Sequence, residues 1–117
     1  MLSLPASVRV YLASESVDMR LGHDGLFAIV RAWDLDPYAG HLFAFVGKRR
    51  DRIKILTWHR GGFVLFYKRL EKGRFRMPRV TAGERTARLD ATELTMLLDG
   101  IELGTVRRPK LWTPPET

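Results

Sequence analysis

The chain of 117 residues contains no cysteine, which excludes a disulfide framework and any metal site built from thiolates. No apolar stretch approaches the roughly 20 residues that a membrane-spanning helix requires. The first residues lack the charged start and apolar core of a secretory signal. The three histidines, His23, His41 and His59, do not have the spacing of zinc ligands. We therefore expect a cytoplasmic protein with no membrane contact, no metal and no cofactor.

Acidic residues are scarce in one part of the chain. The segment from Lys48 to Arg79 holds 12 Lys or Arg and only two acids, Asp51 and Glu71. The remaining 85 residues hold 8 basic and 11 acidic residues, so the net charge of +7 comes entirely from this segment. A positive charge of this density indicates an anionic partner, of which nucleic acid is the most common large one.

The pattern of apolar residues predicts a single α+β domain over residues 1–106, followed by a basic, proline-containing tail over residues 107–117. Leu26, Ile29, Val30 and Trp33 follow helical spacing, and Asp24 is the expected N-cap. A second helix is predicted from a capping box that begins at Asp90 and includes Glu93, with an apolar stripe from Leu94 to Ile101.

Apolar runs between the helices, bounded by turn residues, predict an antiparallel β-meander of about four to five strands, with one helix before it and one after it. Its expected strands are His41–Val46, Arg52–Trp58, Phe63–Leu70, Arg74–Met77 and a short one at Thr86–Leu89, and a separate short strand, Val8–Leu12, precedes the first helix.

Cations alternate with apolar residues along these strands, which predicts a sheet with one positively charged face rather than a basic tail. Aromatic residues in the segment, Trp58, Tyr67 and Phe75, can stack on bases, but most of them are expected to lie in the core. The candidate nucleic-acid-binding residues are Lys48, Arg49, Arg50, Arg52, Lys54, Lys68, Arg69, Lys72, Arg74 and Arg76.

Enzymatic readings have less support in the residues. The chain has no cysteine nucleophile and no G-x-S-x-G motif. Asp18 and Asp24 are the residues from which a small metal-dependent nuclease would have to be built. Asp24 is equally well explained as a helix cap and Asp18 as an ion-pair partner. We therefore expect no catalytic residues, and the nuclease is the least favoured alternative.

Nearly the whole chain resembles the small accessory proteins, called TnpB, of the insertion-sequence-66 transposon family, which are distinct from the RNA-guided nuclease of the same name. The stretch from Arg49 to Pro78 is the most specific part. The residues that carry the resemblance are Asp18-Met19-Arg20, Gly22, Asp24-Gly25-Leu26, Asp36-Pro37, Gly40, Leu42-Phe43, Phe45, Arg49-Arg50-Asp51-Arg52-Ile53-Lys54, Leu56, Trp58, Gly62-Phe63, Lys68-Arg69-Leu70-Glu71, Gly73, Phe75, Pro78, Leu94, Leu97-Leu98 and Gly100-Ile101.

The resemblance implies a non-catalytic accessory role in DNA transposition, beside a separate transposase that carries out the cleavage. The expected partners are DNA, through the basic sheet face, and the transposase of the same element. An alternative is a module that docks on the transposase without touching DNA, through helix residues such as Leu26, Ile29, Leu94 and Leu98. The sequence does not indicate an oligomeric state.

Overall fold

A computed structural model of the protein describes residues 7–100 and 114–115, which form an α+β fold. One helix precedes the main run of strands and one follows it, as the sequence predicts. The elements are β1 Val10–Ala13, α1 His23–Ala32, β2 Leu42–Val46, β3 Arg52–His59, β4 Gly62–Arg69, β5 Thr86–Leu89 and α2 Ala91–Leu98.

The five strands form one sheet in the order β4-β3-β2-β1-β5. Strands β2, β3 and β4 are the predicted antiparallel meander, and β5 pairs antiparallel with β1. Strand β1 pairs parallel with β2, with Tyr11 beside Phe43. The sequence-based prediction did not include this parallel pair. It arises because α1 lies between the two strands and returns the chain to the same end of the sheet.

Both faces of the sheet are covered, so the molecule has two hydrophobic cores. On one face, α2 packs through Leu94, Leu97 and Leu98 against residues such as Ile53 and Ile55. On the other face, α1 packs through its own buried side chains against the aromatic residues of β1 and β2. Strand β2 lies at the centre of the sheet, and all five of its residues are buried.

The two helices begin differently. Helix α2 has the predicted capping box: the Asp90 carboxylate accepts a hydrogen bond from the Glu93 N–H at 2.7 Å, and the Glu93 carboxylate accepts one from the Asp90 N–H at 3.1 Å. Helix α1 has Gly22 at its N-cap and no side-chain cap. The prediction that Asp24 caps α1 is therefore wrong. Asp24 lies in the first turn, where its charge is favourable next to the positive end of the helix dipole.

The prediction of a strand at Arg74–Met77 is also wrong, because these residues pair with no strand of the sheet. The alternation that suggested a strand is nevertheless present in the burial pattern. Phe75 is 1% exposed in the core beneath α2, and Met77 packs at the edge of that core, while Arg74 and Arg76 are exposed. A short extended segment that inserts one aromatic ring into a core gives the same sequence pattern as an edge strand.

Most of the helix residues considered for docking on a transposase are part of the core. Leu26, Leu94 and Leu98 are buried, and Ile29 packs against the core beneath α1. Ile101 and most of the predicted tail lie outside the described residues. Within residues 7–100 and 114–115, no helix is long and apolar enough to cross a membrane.

Replacing Phe75 by alanine tests whether this ring anchors the segment after β4. Removing a fully buried aromatic side chain leaves a cavity, so we expect Phe75→Ala to lower the free energy of unfolding by about 3–5 kcal/mol in urea denaturation. Phe66→Ala is the matched control, because Phe66 is 39% exposed on a neighbouring part of the sheet. Equal losses of stability in the two variants would contradict an anchoring role.

Candidate nucleic-acid interface

The loop between β2 and β3 carries three consecutive exposed cations, Lys48, Arg49 and Arg50. It is a tight turn: the Arg50 N–H donates to the Gly47 carbonyl at 2.9 Å, and the Gly47 N–H donates to the Arg52 carbonyl at 3.0 Å. Arg50 has a φ of 61°, a left-handed conformation that non-glycine residues seldom adopt. A turn this small has no interior for long side chains, so all three cations extend into solvent.

The chain after β4 passes beside this loop and is hydrogen-bonded to it. The Leu70 N–H donates to the Asp51 carbonyl at 2.7 Å, and the Phe75 N–H donates to the Arg50 carbonyl at 2.6 Å. Because the Phe75 ring is buried, the residues on either side of it point outward. The exposed cations of this segment are Lys72, Arg74 and Arg76.

Two arginines face each other across the ends of β3 and β4. Arg52 and Arg69 are direct cross-strand partners. Like charges in this arrangement destabilise a sheet. Arg69 contacts Glu71 at 3.4 Å between its Nη2 and a carboxylate oxygen, whereas the Nε of Arg52 is buried with no hydrogen-bond partner among the described residues. The pair therefore has a hydrogen-bond donor without an acceptor in the described part of the chain, and more positive charge than Glu71 neutralises.

These three features meet where β2 and β4 end and β3 begins. We call this cluster the basic end of the sheet. It brings together eight of the ten candidate residues from two loops and two strand termini, so the cations gather at one end of the sheet rather than along one face. The eight residues are Lys48, Arg49, Arg50, Arg52, Arg69, Lys72, Arg74 and Arg76.

The other two candidates, Lys54 and Lys68, lie on opposite faces of the sheet and bind backbone carbonyls. Lys54 Nζ donates to the carbonyl of Leu21 at 2.8 Å and lies 5.3 Å from the centre of the Tyr67 ring. Lys68 Nζ donates to the carbonyl of Leu98 at 2.7 Å, at the end of α2. The prediction of one shared cationic face fails here, because side chains alternate between faces along each strand.

Arg20 is a cation near the basic end that the sequence argument did not select. Its neighbour Met19 packs so closely on Gly47 that a Cβ at Gly47 would lie 2.6 Å from Met19 Cγ. Arg20 therefore stands next to the loop of Lys48, with its side chain 91% exposed. The sequence could have indicated Arg20 as a candidate, because Arg20 belongs to the Asp18-Met19-Arg20 motif that contributes to the family resemblance.

Asp18, one of the two candidate nuclease carboxylates, is bound to Arg20. Its two oxygens accept hydrogen bonds from Arg20 Nε and Nη2 at 2.8–3.2 Å, and Oδ1 also accepts the Arg20 backbone N–H at 2.9 Å. The hydrogen bonds from Arg20 lower the pKa of Asp18 to about 2. Among residues 7–100 and 114–115, no three His, Asp or Glu side chains are placed to hold a metal ion together.

The aromatic residues of the basic segment have three different environments. Phe75 is buried, as expected for a core residue. Trp58 is half-buried in an aromatic group, with ring centres 5.0 Å from both Tyr38 and Phe63. Tyr67 is 50% exposed and is therefore an exception to the expectation that most of these residues lie in the core. Its ring stands beside Lys54, away from the core beneath α2.

A smaller cationic group lies at the opposite end of the sheet. The Arg9 N–H donates to Nδ1 of His41 at 3.0 Å, and Arg88 is the cross-strand partner of Tyr11, two residues after Arg9. Partial burial, together with the charges of Arg9 and Arg88, lowers the pKa of His41. The two exposed arginines of this group provide a natural comparison for the basic end.

Comparison with known proteins identifies one family. The family model described as IS66 Orf2 like protein matches residues 8–108. Two similar proteins from Sinorhizobium fredii (strain NBRC 101917 / NGR234) are "Uncharacterized protein y4jC", 34% identical over 115 residues, and "Uncharacterized protein y4hO", 35% identical over 116 residues. These alignments cover 97% of this chain, 97% of y4jC and 96% of y4hO. No solved structure matches the chain significantly.

Removing the Arg20 guanidinium tests the Asp18 contact. Because the bonds from Arg20 favour the charged carboxylate, we expect Arg20→Ala to raise the Asp18 pKa from about 2 toward its usual 3.8 in an NMR titration. Arg31→Ala, which removes an exposed arginine from the last turn of α1, should leave the Asp18 pKa unchanged. A low Asp18 pKa that persists in Arg20→Ala would refute the assignment.

Proposed function

The chain belongs to the family of IS66 Orf2 like proteins, and we propose that it assists transposition by binding the DNA backbone through the basic end of its sheet. The family match confirms the resemblance read from the residues and associates the chain with transposition of insertion sequences. DNA is the polyanion that a transposition complex must handle. The proposed role is to bind and position DNA near an element's end, while a separate transposase performs the chemistry.

The observation that carries this proposal is the facing pair Arg52 and Arg69. Strand register puts these two arginines at directly opposite positions, and the Arg52 Nε is buried without a hydrogen-bond acceptor among the described residues. A phosphate bound at this pair would neutralise the repulsion and accept hydrogen bonds from guanidinium N–H groups, because arginine matches the geometry of phosphate oxygens. The free protein is thus destabilised at the point where an anion would stabilise it.

The surrounding cations fit a backbone contact better than base readout. They come from a tight loop and an extended segment, and the described basic end offers no helix that would enter a major groove. Long side chains on such loops reach phosphates over a wide area. Phosphate contacts fix position and orientation but carry little sequence information. We therefore expect modest discrimination between DNA sequences.

Docking on the transposase without DNA contact is the alternative that the sequence left open. The helix residues proposed for that surface are buried or packed against the core, so they are not available to contact a transposase. Interaction with the transposase through other residues is compatible with DNA binding. A pull-down with the transposase, before and after nuclease treatment, would separate a direct contact from one bridged by DNA.

The salt dependence of DNA binding measures the number of phosphate contacts. If all eight cations of the basic end contact phosphates, the slope of log K against log salt concentration should be about −7 for duplex DNA. Fluorescence anisotropy with a labelled duplex carrying the element's terminal sequence, and with a scrambled duplex, provides the measurement. Absence of binding to both duplexes at low salt would refute the proposal.

A pair of matched variants separates the basic end from general positive charge. Arg49→Ala with Arg74→Ala should weaken DNA binding and reduce the magnitude of the salt slope by about 2. Arg9→Ala with Arg88→Ala removes the same charge from the opposite end of the sheet and should leave the slope unchanged. Equal effects of the two double variants would show that DNA senses only net charge. Cleavage of the DNA in magnesium would contradict the non-catalytic role.

A further inference from the structure

Strand β4 forms an edge of the sheet and exposes apolar side chains on both faces. Within the described residues it has one neighbouring strand, β3. Val64 is 49% exposed, Phe66 39% and Tyr67 50%, and Tyr38 is the one other large hydrophobic residue of comparable exposure among those described. An eight-residue edge strand with exposed apolar residues is a surface on which another strand can pair. DNA binding at the basic end does not use these side chains.

The backbone of β4 is arranged so that alternate residues face outward. The turn Arg60–Gly61, with φ values of 44° and 86°, joins β3 to β4, and His59 pairs with Gly62. A two-residue turn of this kind closes on a hydrogen-bonded pair. Counting from that pair, the even-numbered residues of β4 bond to β3. The N–H and C=O groups of Phe63, Leu65 and Tyr67 therefore point to the open side.

We propose that the chain forms a homodimer in which β4 pairs antiparallel with β4 of a second copy, about a two-fold axis at Leu65. In this register, Val64 lies opposite Phe66 of the second copy on one face, and Phe63 lies opposite Tyr67 of the second copy on the other. Every outward-facing backbone group named above then finds a partner. The two sheets join into one sheet of ten strands, and the interface is isologous.

The charges of β4 favour a second copy over a different kind of strand. In the self-paired register, Lys68 lies opposite Gly62 and Arg69 opposite Gly61, so the cations of the two copies do not face each other. Residues 62–67 carry no charge, so an acidic peptide paired along them would gain no ion pair there, and Lys68 already donates to the carbonyl of Leu98 at the end of α2. Self-pairing thus buries the apolar residues without placing like charges directly opposite each other.

Sedimentation velocity of the full chain at high micromolar concentration tests the dimer. We expect wild-type protein to sediment as a species with twice the chain mass of 13.5 kDa. Phe66→Lys places a charge in the interface and should raise the dimer dissociation constant by at least about tenfold. Ala28→Lys is the matched control, because it adds the same charge at an exposed position of α1, away from β4, and this variant should remain dimeric.

A backbone variant provides a second, independent readout. Tyr67→Pro removes an N–H that faces the open side, so it should abolish the dimer while leaving the pairing of β3 with β4 in place. In wild-type protein, hydrogen exchange at the Leu65 amide should slow as concentration rises, while exchange at the Val64 amide should not change.

Three results would overturn the proposal: a wild-type monomer at high concentration, an assembly larger than two chains, or a dimer that survives both Phe66→Lys and Tyr67→Pro. A monomer would instead favour a strand of another protein as the occupant of β4. Because none of these measurements contains DNA, failure of the dimer would not affect the proposed DNA contact, and failure of DNA binding would not affect the dimer.

Discussion

The basic end depends on one buried aromatic ring. Phe75 inserts into the core beneath α2, and its N–H donates to the carbonyl of Arg50. This contact holds the extended segment after β4 against the loop between β2 and β3, so that Arg74 and Arg76 stand beside the loop cations. Without the ring, two strongly positive stretches of chain would repel each other and separate. Burial of apolar surface thus offsets the electrostatic cost of gathering these like charges.

The same cation type has two roles in this fold, and position in the sheet decides between them. Lysines within the strands, Lys54 and Lys68, extend over the sheet and donate to carbonyls of the Leu21 loop and of α2. Among the described residues, the cations of the basic end donate to no carbonyl, and all of them but the partly buried Arg52 are exposed. The positive charge of the segment is therefore divided between contacts that hold the fold together and a cluster that is available to an anion.

Much of the architecture followed from local patterns. Helical spacing predicted both helices, and the Asp90 capping box predicted the start of α2. Glycine-containing turns predicted the three strands of the meander. Three features did not follow. The parallel pairing of β1 with β2 depends on where α1 packs, which local periodicity does not encode. Arg74–Met77 alternates because one ring is buried, not because the segment pairs with a strand. Arg20 lies next to the basic end only because Met19 packs on Gly47, 28 residues further along the chain.

The sequence by itself determined that positive charge is concentrated in one segment, that this segment is folded, and that the chain resembles a transposon accessory family. Composition and periodicity are local properties, so they can be read along the chain. Tertiary structure alone decided which cations meet. Strand register set Arg52 against Arg69 and sent Lys54 and Lys68 to opposite faces, and sheet order left β4 at an edge. These outcomes depend on pairing between distant residues, and a shift of one residue in register would have reversed every face.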